Sequence, residues 1–189
     1  TYTRFPAGTS MPAWEDRQSR AGQIALAETD HKLYERGETD ALPTVRSLVR
    51  ILPGKTECLL RQTGSGAIKE LVLYPQGLME DEETLDHLLL RITWDGRAHP
   101  AVEAPLGSFF GGAPGYAHYR CLPMSMERGA FTCRFYMPFT EGCRVELENL
   151  DDQAHDVRMT FAVEELPLSS GQLLRFHASW HRGAFLGRV

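Results

Sequence analysis

The sequence is short of lysine, of paired-cysteine spacings and of long apolar runs, and each shortage removes a class of function. Three lysines against 17 arginines, with 25 acidic residues and a formal net charge of −5, leave no basic footprint for a phosphate backbone, so nucleic acid is not an expected partner. No stretch approaches the roughly 20 apolar residues that cross a bilayer, so no membrane partner is expected either. Thr1 to Arg20 lacks the charged-then-apolar order of a signal peptide, as would a secreted chain already relieved of its leader. Cys58, Cys121, Cys133 and Cys143 show no C-x-x-C spacing, and Cys133 falls in an alternating apolar pattern as a small core residue would. Reduced thiols in a cytoplasm are the simpler expectation. The arginine excess suits planar, bidentate contacts to carboxylates or sugars, although genome base composition produces the same bias.

Motifs for several chemistries are missing as well. Gly54-Lys55-Thr56 ends like a phosphate-binding loop, but the glycine required five positions before Gly54 is Val49. Gly64-Ser65-Gly66 opens like a dinucleotide fingerprint whose third glycine is replaced by Lys69. No G-x-S-x-G pentad occurs to hold a serine nucleophile. His177 and His181 would converge on a metal only from a helix; in the alternating segment Leu173 to His181 they stand about 13 Å apart, too far for one ion. Neither a metal nor any other cofactor is expected.

What the chain has in quantity is period-two hydrophobicity. Phe131, Cys133, Phe135 and Met137 alternate with polar neighbours, as do Val157, Met159, Phe161 and Val163, and Val145 with Leu147. Leu88, Leu90, Ile92 and Trp94 share one face of a strand ending at Asp95-Gly96, and residues 45–51, 56–61, 67–74 and 173–180 are further strands. Turn formers lie between them, at Pro53-Gly54, Gly64-Ser65-Gly66, Gly111-Gly112, Glu141-Gly142 and Asp151-Asp152. About eight short strands at this spacing predict an all-β protein, a single jelly-roll β-sandwich over residues 45–182. Helix is expected only near 79–87 and 30–38. The polar, acidic run from Glu28 to Asp40 breaks the alternation, so residues 1–44 are predicted to form an N-terminal arm, with 183–189 as a tail.

Carboxylates are the remaining chemical groups. Glycoside hydrolysis needs two, one protonated and one charged, about 5 Å apart in retaining enzymes. Glu80 to Glu83 is expected to be a solvated helix start, and Glu146 with Glu148 the wet face of a strand; neither has the apolar flanks that raise a carboxyl pKa. Asp95 in its Asp-Gly dipeptide predicts a tight hairpin turn. Glu103, between Val102 and Ala104 and bracketed by Pro100 and Pro105, is expected either to be a buried carboxylate bonded to backbone amides or to contact a ligand.

The segment from Trp94 to Gly111 resembles glycoside hydrolase family 172, whose pattern runs Trp-Asp-Gly, Pro-Ser-Val-Glu, Pro-Leu-Gly-Asp-Phe-Phe-Gly. Trp94, Asp95, Gly96, Pro100, Val102, Glu103, Pro105, Leu106, Gly107, Phe109, Phe110 and Gly111 match it, and Ala101 and Ser108 depart from it where serine and aspartate are usual. Downstream, Cys133 with Met137-Pro138-Phe139, then Glu148-Asn149, then Phe176-His177-Ala178 with Trp180 follow in the family's order, while Ser19-Arg20-Ala21-Gly22 only weakly resembles its Asp-Arg-Thr-Gly loop. The resemblance implies a jelly roll that forms trimers or hexamers, in a family acting on fructofuranosides such as difructose dianhydrides. It also implies that the catalytic glutamates belong to Gly-Glu-Gly-Asp-Glu and Gly-Thr-Glu-Asp-Tyr-Phe motifs of a second jelly roll, and neither motif occurs in these 189 residues. No catalytic residue is therefore assigned. Glu103 and His177 stand as candidate ligand contacts.

Three functions are compatible with these features. The chain is the structural, first half of a fructofuranoside-acting enzyme; or a non-catalytic single jelly roll that self-assembles like a capsid subunit; or a carbohydrate-binding module stacking sugars on Tyr116, Tyr119 and Trp14. A homo-oligomer, trimer or multiple of it, is the expected assembly, and a fructan or other carbohydrate the expected ligand class.

Overall fold

The computed structural model describes residues 24–25, 27–28, 43–78, 83–112, 115–166 and 173–181. The chain divides into two units, residues 1–39 and 40–189. In the first, residues 24, 25, 27 and 28 are helical. Most of the arm expected over 1–44, the helix expected over 30–38 and the tail expected over 183–189 lie outside the described residues.

The second unit is all-β, and its strands follow where period-two patterning demands them. They are β1 (Thr44–Ile51), β2 (Thr56–Thr63), β3 (Gly66–Tyr74), β4 (Leu88–Trp94), β5 (Val102–Pro105), β6 (Tyr119–Arg120), β7 (Met124–Glu127), β8 (Ala130–Cys133), β9 (Met137–Phe139), β10 (Gly142–Asn149), β11 (His155–Glu165) and β12 (Ala178–Ser179), with one-turn helices α1 (Thr84–His87) and α2 (Leu106–Phe109). The described residues thus hold twelve strands rather than about eight, because β5, β6 and β7 are short pieces with little alternation to announce them. The helix expected over 79–87 is confined to Thr84–His87 among the described residues, and the strand expected over 173–180 is reduced to Ala178–Ser179.

Two sheets form a β-sandwich. One runs β1-β11-β3-β8-β7-β6, with β9 also on β3; the other runs β12-β5-β4-β10-β2. Successive long strands change sheet, β1 and β3 in the first, β2 and β4 in the second. Every pairing is antiparallel except that of β12 with β5. The core between the sheets takes the inward positions of both: Leu71, Leu73, Phe131, Met159 and Phe161 from the first, Leu90, Ile92, Trp94, Val145 and Leu147 from the second, all buried. Each such side chain contributes roughly 1.5–3 kcal/mol by leaving water.

Phe131 to Met137 was expected as one strand and is two. β3 carries an extra residue at Lys69, where its register with β11 shifts between Ala162 and Val163. Across that bulge β8 pairs with Leu71 to Leu73 and β9 with Gly66 to Ile68, so residues 134–136 bow out between them. Phe135, assigned by its spacing to the inner face, is instead 40% exposed. Its ring lies 5.4 Å from that of Phe176.

All four cysteines are free thiols, Cys58 and Cys121 exposed, Cys133 and Cys143 buried. Burial pushes each of the two buried thiols up to about 12. Iodoacetamide at pH 8 should therefore label Cys58 and Cys121 of the folded protein and spare Cys133 and Cys143 until denaturant is added. Peptide mass spectrometry reads this directly, and rapid native labelling of Cys133 would contradict the packing.

Candidate functional site

The signature segment begins where β4 leaves the core. Asp95 and Gly96 both have positive φ, 54° and 64°, and the Arg97 amide donates to the Trp94 carbonyl at 3.1 Å, so the predicted Asp-Gly turn is present with the backbone twist a hairpin favours. The Asp95 side chain does more than tolerate that conformation. Its Oδ1 accepts from the amides of Thr140 and Glu141 at 2.7 and 2.8 Å, and its Oδ2 accepts from Arg175 Nε at 2.8 Å. Arg175 reaches on to Thr140 Oγ1 at 2.9 Å and to the Leu173 carbonyl at 3.0 Å. Burial alone would raise the Asp95 carboxyl, but the two amides and the guanidinium outweigh it and hold it below the ordinary aspartate value.

The aromatic positions of the signature are structural too. Trp94, 1% exposed, lies parallel to Phe139 with centroids 6.3 Å apart and donates its indole N–H to the Phe176 carbonyl at 2.8 Å. Phe109 packs edge-on to Phe110 and to Phe176. Gly111 has φ 86°, and a Cβ there would come within 2.6 Å of the Tyr119 hydroxyl, which itself donates to the Phe110 carbonyl. Asn149, fully buried, donates to the carbonyls of Ile51 and Gln153 and accepts from the Asp151 amide. The Glu-Asn match is thereby accounted for by a loop anchor.

Glu103 is not the buried, amide-bonded carboxylate that its proline brackets suggested. Val102, Glu103 and Ala104 alternate on β5, so Val102 and Ala104 point inward and the Glu103 side chain is 51% exposed on the outer face of the second sheet. The prolines flank a short strand rather than enclosing a pocket. Arg91, opposite it on β4, donates Nε to Glu103 at 2.8 Å and Nη1 to Glu148 of β10 at 2.6 Å. Burial works against the Arg91 charge, and the two carboxylates outweigh that effect and raise its pKa. Glu146, directly opposite Arg91 on β10, holds Arg144 Nε at 3.0 Å. The glutamates expected on the wet face of β10 are therefore half-buried and tied to arginines. A glycosidase acid needs an apolar wall that keeps a carboxyl protonated; a guanidinium at hydrogen-bond distance does the reverse.

His177 is exposed and is not brought together with Glu103 by any bond among the described residues. No group of three His, Cys, Asp or Glu side chains is arranged for a metal among the described residues. Of the tyrosines considered for sugar stacking, Tyr116 stacks on Phe131 at 5.8 Å and Tyr119 is engaged with Phe110; Trp14 lies outside the described residues. Beside the Asp95 turn, a cleft of about 280 Å³ opens among Arg61, Thr93, Arg97, Glu141 and Arg144. Patterning did not reveal it, because its walls come from three separated segments. Arg91 and Arg175 were missed for the same reason: Arg175 is 80 residues from the aspartate it holds.

Fold and signature together define a β-sandwich domain related to glycoside hydrolases. The chain belongs to the GH172 domain-like family, whose model matches residues 42–161. No curated protein sequence matches it significantly. Among the described residues, no helix is long and apolar enough to cross a membrane.

Proposed function

We propose that this chain is the structural half of a fructofuranoside-acting assembly, a jelly-roll scaffold that builds a homo-oligomer, a trimer or a multiple of it, and leaves bond cleavage to residues outside these 189. One observation carries this reading. Signature residues serve turns and core, in Asp95, Trp94, Phe109, Phe110 and Gly111, while the one outward-facing acid of the signature, Glu103, is bound to Arg91. The jelly-roll connectivity is supported by the interleaved strand orders β1-β11-β3-β8 and β5-β4-β10-β2. With Tyr116 and Tyr119 engaged in packing, a sugar-stacking platform has little support.

The test is turnover. The purified chain, assayed with a difructose dianhydride and an aryl α-fructofuranoside, is expected to release no product above the blank; turnover by this chain would overturn the proposal, and Glu103→Gln would then show whether that acid carries it. Because Glu103 and Arg91 form a partly exposed pair, Glu103→Gln should change stability by less than about 1 kcal/mol. Sedimentation equilibrium should give a mass three or six times the 21.3 kDa of the chain, and a monomer would remove the scaffold role.

A further inference from the structure

The cleft beside the Asp95 turn adjoins the Arg91 network through Arg144, which lines it and bonds Glu146, and it is not needed for a scaffold. We propose that it binds an oxyanion, a phosphate or carboxylate, carried on a molecule no larger than about a monosaccharide. At about 280 Å³ it sits at the lower end of small-ligand pockets.

The sheet itself puts the charge there. Arg61 on β2 stands directly opposite Arg144 on β10, and Arg144 directly opposite Thr93 on β4, so two guanidiniums and a hydroxyl form one cross-strand row on the outer face. Like charges placed opposite each other oppose strand pairing. The next row along the same strands is Glu146 and Arg91, with Glu103 beyond, and there positive and negative side chains are matched. Arg97, delivered by the Asp95-Gly96 turn, adds a third guanidinium to the cleft, against one carboxylate in the lining, Glu141.

Pairing leaves this charge uncompensated. Arg144 engages Glu146 through Nε, whereas neither Arg61 nor Arg97 has a carboxylate partner among the described residues. An oxyanion between them would relieve the Arg61–Arg144 repulsion and use the fork geometry in which arginine meets phosphate and carboxylate. The turn that presents Arg97 is held by the Asp95 clamp, so little ordering accompanies binding.

Isothermal titration of the full chain at low ionic strength, with inorganic phosphate, glucose 6-phosphate, glucuronate and glucose as probes, tests this. The sugar phosphate and glucuronate should bind saturably with Kd on the order of 1 mM, tighter than inorganic phosphate, and weaken as salt is raised. Glucose should not bind. Arg97→Gln and Arg61→Gln should each weaken binding about tenfold, as expected for loss of one charge-assisted contact. Arg61→Gln should also raise the Tm of the free protein, a gain that a purely structural arginine would not yield. Absence of saturable binding, retention of affinity in the Arg61→Gln/Arg97→Gln double variant, or equal affinity for glucose would overturn the oxyanion site. Inorganic phosphate binding as tightly as glucose 6-phosphate would overturn the carrier part of the proposal.

Discussion

Replacing Asp95 by alanine is expected to lower the stability of the domain by roughly 3 kcal/mol and its Tm by about 10 °C. The carboxylate is 14% exposed and joins three pieces of chain, the β4 turn, the Thr140-Glu141 turn and the segment around Arg175. Its loss strands two amides and a guanidinium, and an alanine at φ 54° is strained besides. Asp95→Asn separates these effects. Asparagine accepts the positive φ and keeps an acceptor oxygen, so it should cost only about 1–2 kcal/mol, mostly by losing the Arg175 pair. A double-mutant cycle between Asp95→Asn and Arg175→Gln should then show a coupling of about 1 kcal/mol; additive losses would mean that the pair contributes nothing.

The same carboxylate makes the fold acid-sensitive. Its pKa in the folded state is depressed below the ordinary 3.8, so its contribution is fully present above that value and is lost as pH falls through the lower, folded-state pKa. Asp151, whose carboxyl is lowered by its bond from His155 and by backbone amides, behaves in the same sense. Asp95→Asn should therefore flatten, without abolishing, the fall in urea midpoint as pH drops below the ordinary aspartate value of 3.8. An unchanged slope would show that Asp95 is not depressed.

Trp94→Ala is expected to be the most damaging core substitution, costing roughly 4 kcal/mol. The ring fills the inner end of β4 against Phe139, and its N–H satisfies the carbonyl of Phe176. Trp94→Phe keeps an aromatic face for Phe139 but leaves that carbonyl without its donor, so about 2 kcal/mol should still be lost. Urea unfolding followed by far-UV circular dichroism measures both. A neutral Trp94→Phe would mean that the bond to Phe176 adds nothing.

Period two made the long strands legible, because a residue such as Val157 or Leu147 has only one buried face to occupy. It failed where the backbone departs from strict alternation. The bulge at Lys69 splits the Phe131 to Met137 run, and nothing in the local sequence marks it, since Lys69 resembles any outward-facing strand residue. Glu103 shows the opposite failure. Its neighbours alternate plainly, and the flanking prolines, which suggest enclosure, only bound a short strand that turns the acid outward. The Asp95 turn was visible from its dipeptide alone; the partners that turn it into a clamp were not, because tertiary folding selects them from 45 and 80 residues away. The cleft arginines had no signal beyond an arginine-rich composition, which does not say which of them will meet.

The two-residue strand β12 has a consequence for solution behaviour. Ala178 and Trp180 donate their amides to the carbonyls of Ala101 and Glu103, and so occupy the outer margin of β5, which would otherwise offer free carbonyls to any passing extended chain. A strand this short cannot hold its position alone, and the Arg175–Asp95 contact moors it together with the Trp94–Phe176 bond. Loosening it at Arg175 would let β12 leave the margin of β5 more often and expose a template for edge-to-edge addition. Loss of Arg175 should accordingly show itself first as concentration-dependent aggregation, before any loss of the sandwich itself.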